Sequence, residues 1–167
     1  MIKNPLNKKE VAGKFCFVAG TEVTMEGYYI KYIEDIKIGD SVLSYNETTQ
    51  EIETKEVVEV FTPIHSELIK LTLDNDTEII STFDHPYYVE GKYLASYKPN
   101  ITAARYTFDF EIAKLKIGTN LLDSNLDPVV VIDLEEQERE PTQTYIFHVE
   151  DNSNFFANDI LVHNKNA

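Results

Sequence analysis

The chain has 167 residues, a formal net charge of −14 and one cysteine, Cys16. That length suits a single domain with a full core, and the acidity argues against nucleic acid as a partner, because phosphate binding needs clustered Lys and Arg. One cysteine excludes an internal disulfide framework and suits a reducing, cytoplasmic compartment. No apolar run reaches membrane-spanning length, and residues 1–15 lack the apolar segment of a secretory signal, so a soluble monomer with no membrane partner is expected.

In chain order, Met1 to Lys14 is polar, contains Pro5 and shows no period, which predicts a leader outside the core. The first apolar segment begins at Phe15-Cys16-Phe17-Val18, with Gly20-Thr21 suited to a turn and Val23 resuming a strand. Ile33 to Ser44 reads as a short turn and a strand start, and Asn46 to Gln50 as a hairpin loop. Ile52, Thr54, Val58 and Val60 then suggest one face of a long, partly solvated strand with charges on the other face. Leu68 to Leu73 alternates, Asp74-Asn75-Asp76 turns, and Thr77 to Thr82 returns as a hairpin. Thr82-Phe83-Asp84-His85-Pro86 follows, and Pro86 limits further pairing. Glu90 to Phe110 carries no readable pattern and is too short for an inserted domain.

Ile112 to Leu122 aligns without gaps on Ile33 to Leu43: five apolar positions, one lysine and one glycine coincide. Two copies predict a duplicated β unit with pseudo-two-fold symmetry, since a solenoid needs at least three. Val129 to Ile132 is a buried-strand candidate, Asp133 to Glu140 reads as a solvated loop or strand edge, and Gln143 to Val149 alternates again. Glu150 to Asn154 turns, and Phe155-Phe156-Ala157 leads to Ile160-Leu161-Val162-His163-Asn164. No stretch has a long helical period, so the fold class is all-β.

Two ends of the chain carry chemistry. Asn164 can close a succinimide through its side-chain amide and cut the chain before Lys165, and His163 beside it can donate a proton to the departing amine. Taken alone, that stretch reads better as a buried strand ending in a polar tail, since His-Asn pairs are common, and Cys16 alone reads as a core residue. His148, on the strand before the last turn, is read as packing, with a place at the site as the alternative; His65, after Pro63, is read as a solvated loop residue. The acidic clusters at Asp74 to Glu78 and Asp123 to Asp127 match no calcium-binding loop and are read as turns.

The ordered set Cys16-Phe17-Val18-Ala19-Gly20-Thr21, Thr82-Phe83-Asp84-His85 and Val162-His163-Asn164, joined by the duplicated Ile-x-x-Ile-x-Ile-Gly unit, resembles the Hint superfamily. Inteins, bacterial intein-like domains and the autoprocessing part of hedgehog proteins make up that superfamily. The resemblance spans residues 16–164, leaving 1–15 and 165–167 as flanks. It implies a flattened, horseshoe-like β domain that brings its two ends to one site. It also implies catalytic roles for five residues: Cys16 as nucleophile on the Phe15 carbonyl, Thr82 holding the junction amide, His85 protonating the departing nitrogen, and His163 with Asn164 for cyclisation. No cofactor or resident metal is implied, although a cysteine with two histidines could trap zinc. The partners are the chain's own flanking segments. Splicing members of the superfamily carry Cys, Ser or Thr after the last Asn, whereas this chain has Lys165, and Ile146 and Ser153 stand where the late block often has Asp and His. Terminal cleavage, with splicing secondary, is therefore expected. The competing readings are an inactive Hint fold kept as a binding or linker module, and a cysteine hydrolase acting on outside substrates.

Overall fold

The computed structural model describes residues 15–91 and 93–164, so the expected leader up to Lys14 and the flank from Lys165 lie outside the described residues. Among the described residues fourteen strands form two seven-stranded sheets, accompanied by one α-helix. The first runs β1 (Phe17–Val18), β7 (Glu78–Thr82), β6 (Ile64–Leu73), β12 (Pro128–Val149), β5 (Glu51–Phe61), β4 (Ser41–Asn46), with β11 (Asn120–Leu122) also on β12. The second runs β10 (Ala113–Lys114), β9 (Leu94–Ser96), β8 (Tyr87–Tyr88), β14 (Ile160–His163), β13 (Asn154–Ala157), β2 (Glu22–Thr24), β3 (Ile30–Tyr32). Helix α1 spans Pro99–Arg105, inside the stretch that carried no readable pattern. No helix among the described residues is long and apolar enough to cross a membrane.

The internal repeat is visible bond by bond. Gly39 and Gly118 both adopt positive φ, 96° and 97°, a conformation that favours glycine. The Gly39 N–H donates to the Val57 carbonyl at 2.9 Å, and the Gly118 N–H to that of Val131 at 2.8 Å. Val57 and Val131 return bonds to the Asp40 and Thr119 carbonyls, both at 2.9 Å. Even the turn caps correspond, with Lys37 N–H on Asp40 Oδ2 and Lys116 N–H on Thr119 Oγ1. Val42 and Leu121 are then both fully buried, while Ile38 and Ile117 are both exposed. Truncating either buried residue to Ala costs about 2–5 kcal/mol.

Two expectations change, and a third is narrowed. Of the two readings of Asp133 to Glu140, the strand edge holds and the loop does not: the stretch continues β12, whose Asp133 to Glu138 pair with β6 while their charged side chains stay in solvent. In β5 it is Val57 that faces the core, and Val58 and Val60 point outward; charged neighbours on both faces hide the phase of this strand. His65 sits in β6 opposite Thr142, half-buried, and not in a loop. The acidic turns behave as turns, Asn75 Oδ1 accepting the Thr77 N–H and Asp123 Oδ1 those of Asn125 and Asp127. Among the described residues no group of three or more His, Cys, Asp or Glu side chains is placed to hold a metal ion.

Candidate active site

Cys16 lies immediately before β1 and is fully buried. Thr82, the last residue of β7, clasps it from both sides: the Cys16 N–H donates to Thr82 Oγ1 at 3.1 Å, and the Thr82 N–H donates to the Cys16 carbonyl at 3.0 Å. The chain then turns, the His85 N–H bonding the Thr82 carbonyl at 3.3 Å, which brings the imidazole back under the same junction. Pro86 ends the turn, and its carbonyl accepts the N–H of His163 at 3.2 Å. Val162 pairs with Tyr87 directly beyond. One short segment therefore ties residue 16 to the last strand of the domain.

His85 is fully buried in an aromatic chamber, its ring centroid 4.1 Å from Phe17, 4.7 Å from Phe15 and 5.6 Å from Tyr87. Neither ring nitrogen makes a well-formed hydrogen bond to a described residue. Burial holds its imidazole well below the ordinary histidine range; the nearby His163 ring pushes the same way, and the His163 backbone opposes both. His85 is thus neutral at neutral pH. The neighbouring Asp84 carboxylate is buried, and its Oδ2 accepts from Arg105 Nη1 at 3.0 Å.

His163, at the end of β14, packs its ring 5.6 Å from Phe108, 6.1 Å from Tyr88 and 6.5 Å from Phe15. Asn164 follows, fully buried, with its N–H on the Ser153 carbonyl at 2.8 Å and its Nδ2 donating to the Phe147 carbonyl at 2.7 Å. Ser153 contributes its backbone carbonyl to Asn164, and its side chain carries no imidazole. His148 is buried, with Nδ1 3.0 Å from Glu59 Oε1 and its ring 5.0 Å from Phe61. It packs between β12 and β5.

Two contributors escaped the sequence reading. Asn154 is fully buried and saturated: Oδ1 accepts from Ser44 Oγ at 2.6 Å and the Tyr45 N–H at 2.8 Å, and Nδ2 donates to the Tyr45 carbonyl and Tyr88 Oη. It sits opposite His163 in the β13–β14 pair and fixes that strand. Tyr106, just after α1, stacks edge-on to Phe15 at 4.8 Å. Burial pushes its hydroxyl far above the ordinary tyrosine range, with the charges of Asp84 and Cys16 adding to the effect. Asn154 lay in a predicted turn and Tyr106 in a patternless stretch, so neither carried a local signal.

Burial of Cys16, its clasp by Thr82 and the junction of two chain ends define a Hint-type site on an all-β fold. A sequence model of the pretoxin Hint domain matches residues 22–165. Among solved structures, the bacterial intein-like domain from Clostridium thermocellum is 33% identical and superposes with a TM-score of 0.74, covering 89% of this chain and 98% of that one. The gp41-1 intein is 26% identical, with a TM-score of 0.68 and coverage of 90% and 98%. A DnaB intein from Synechocystis sp. PCC 6803, 16% identical over 91% and 99%, shares the fold with a TM-score of 0.68. No curated protein matches. The chain belongs to the pretoxin Hint domain family of the Hint superfamily.

Proposed function

We propose that this domain cuts its own backbone, once, at the Phe15–Cys16 junction and after Asn164. The carrying observation is the grip of Thr82 on both polar groups of Cys16, with neutral, desolvated His85 beneath it. In the first step His85 takes the Cys16 thiol proton and sulfur attacks the Phe15 carbonyl carbon. The tetrahedral oxyanion then collapses: the carbon–nitrogen bond breaks and the His85 proton passes to the departing Cys16 nitrogen. A thioester and a free amine result, with His85 returned to its neutral form. A free thiol near pKa ~8.5 is only a few per cent ionised at neutral pH, so the base and the orientation supply the rate. Oriented intramolecular attack reaches effective molarities of roughly 10⁵–10⁸ M, which makes a cofactor unnecessary.

At the other end, Asn164 Nδ2 attacks its own carbonyl carbon and gives up one proton to His163, which delivers a proton to the Lys165 nitrogen as the Asn164–Lys165 bond breaks and the succinimide closes. Lysine is a protonated ammonium at neutral pH and accepts no acyl group there, so hydrolysis or an outside thiol releases the front segment and cleavage predominates over splicing. An outside substrate would need access to Cys16 and His85, both fully buried, which argues against a hydrolase acting in trans.

The test is mass spectrometry of the purified full chain with and without a small thiol. Cleavage before Cys16 should accelerate with thiol and vanish in Cys16→Ala, while cleavage after Asn164 should vanish in Asn164→Ala. Intact chains after days across pH 6–9 in all three proteins would leave a non-processing Hint fold as the reading.

A further inference from the structure

We propose that Tyr106 and the two site histidines form a subsite selective for an aromatic side chain at position 15, so that the residue being cut away completes the chamber in which its own bond breaks. This rests on the self-processing reading above and adds to it a specificity for the front segment. Phe15 belongs to that segment, yet only 2% of its surface is exposed. Its ring meets His85 and Tyr106 edge-on, at interplanar angles of 67° and 64°, and lies at 56° to the more distant His163. Edge-to-face contact is the arrangement that aromatic quadrupoles favour, and an aliphatic side chain of similar volume does not reproduce it.

The wall is built, not incidental. The Tyr106 N–H donates to the Thr102 carbonyl at 3.0 Å, and the fully buried Thr102 hydroxyl reaches the Asp84 carbonyl at 2.9 Å. Arg105, between them in sequence, grips the Asp84 carboxylate. Asp84 precedes His85, so the residue that carries the base also anchors the side of the pocket that receives Phe15. A small residue at position 15 would open a void against His85 and admit water. Wetting the chamber lifts the desolvation that keeps the imidazole neutral. The titratable and charged groups around that ring are the Cys16 thiol, His163, the Tyr87 and Tyr106 hydroxyls and the Asp84–Arg105 pair; Tyr87 is occupied by Ser81 at 2.7 Å. Opening the pocket therefore changes solvent around His85 while leaving these charges in place.

The experiment compares wild type, Phe15→Leu and Phe15→Gly as full chains, alone and combined with Tyr106→Ala or Tyr106→Phe. The rate of thiol-induced cleavage before Cys16 should fall from Phe through Leu to Gly, by about 10²-fold over the series, the scale of a misplaced reacting group. Tyr106→Ala should erase most of that preference and Tyr106→Phe should keep it. Cleavage after Asn164 should proceed in every variant, which separates specificity from misfolding. Ring titration of His85 by NMR in Cys16→Ala chains should move upward with Phe15→Gly. Equal rates for wild type and Phe15→Gly, or an unchanged preference in Tyr106→Ala, overturn the subsite. A wild type that never cleaves with thiol overturns the self-processing reading, and the subsite with it.

Discussion

The two junctions of this domain are held in opposite ways. At the front, Thr82 bonds both the N–H and the carbonyl of Cys16, and a neutral imidazole lies in a buried aromatic chamber. At the back, Asn164 Nδ2, the attacking nitrogen of the proposed cyclisation, donates to the Phe147 carbonyl at 2.7 Å. Cyclisation has to turn that amide toward its own carbonyl, and a hydrogen bond in a buried site resists the rotation. Under the proposed mechanism the difference teaches that burial alone does not make a reactive centre: the front is held for attack, whereas the back must reorganise first. Cleavage before Cys16 should consequently precede cleavage after Asn164.

The largest test of that asymmetry is His85→Ala, which should slow the front reaction by about 10²–10⁴-fold, the usual share of a positioned acid–base group. Time-resolved mass spectrometry should show the back reaction far less affected; equal losses at both ends would mean that one site serves both. Asn154→Leu comes next, because it leaves the Tyr45 and Ser44 groups without their buried partner. Thermal or urea unfolding should report a loss of about 2–3 kcal/mol, and the back reaction should suffer more than the front, since this residue sets the strand that ends at His163. Thr82→Val keeps shape and removes the bond to the Cys16 N–H, and should cost the front about 10–100-fold, one charge-free hydrogen bond lost in a dry site.

The smallest effect is on pH. His85 is held below its unfolded value by burial first and His163 second, so the unfolded chain binds the extra proton. Its contribution to stability is complete above the unfolded histidine range, near pH 6.5, and is lost as pH falls below it by about 1.4 kcal/mol per pH unit until the folded value is reached. Chemical denaturation of Cys16→Ala between pH 7 and pH 5 should show this slope, and His85→Phe should flatten it.

Much of this was legible because the signals are local. The Ile-x-x-Ile-x-Ile-Gly unit announced itself twice, since a glycine at positive φ and a buried aliphatic three places later meet the same backbone demand in each copy. The hairpin across Asp74 to Asp76 and the order of the Cys16, Thr82–His85 and His163–Asn164 blocks were likewise readable. The phase of β5 was not, because Glu53, Lys55 and Glu59 share the face of Val57 and mimic a solvated side. Asp133 to Glu140 left loop and strand edge both open for a related reason: charge marks exposure to water, and an exposed strand edge keeps its backbone pairing all the same.

Residue type and order, by themselves, determined an all-β chain with a duplicated turn, a lone cysteine near one end and a His-Asn pair near the other. Only the tertiary structure decided what surrounds those groups: Phe15 sealed against Tyr106 and His85, Asp84 turned to Arg105 and away from the imidazole, Asn154 bracing the last strand, and Asn164 tied to Phe147. The physical reason is range. Turn chemistry and alternation act between neighbours in sequence, whereas desolvation and hydrogen-bond partnership depend on which distant segments share a space, and that is settled when the sheets pack.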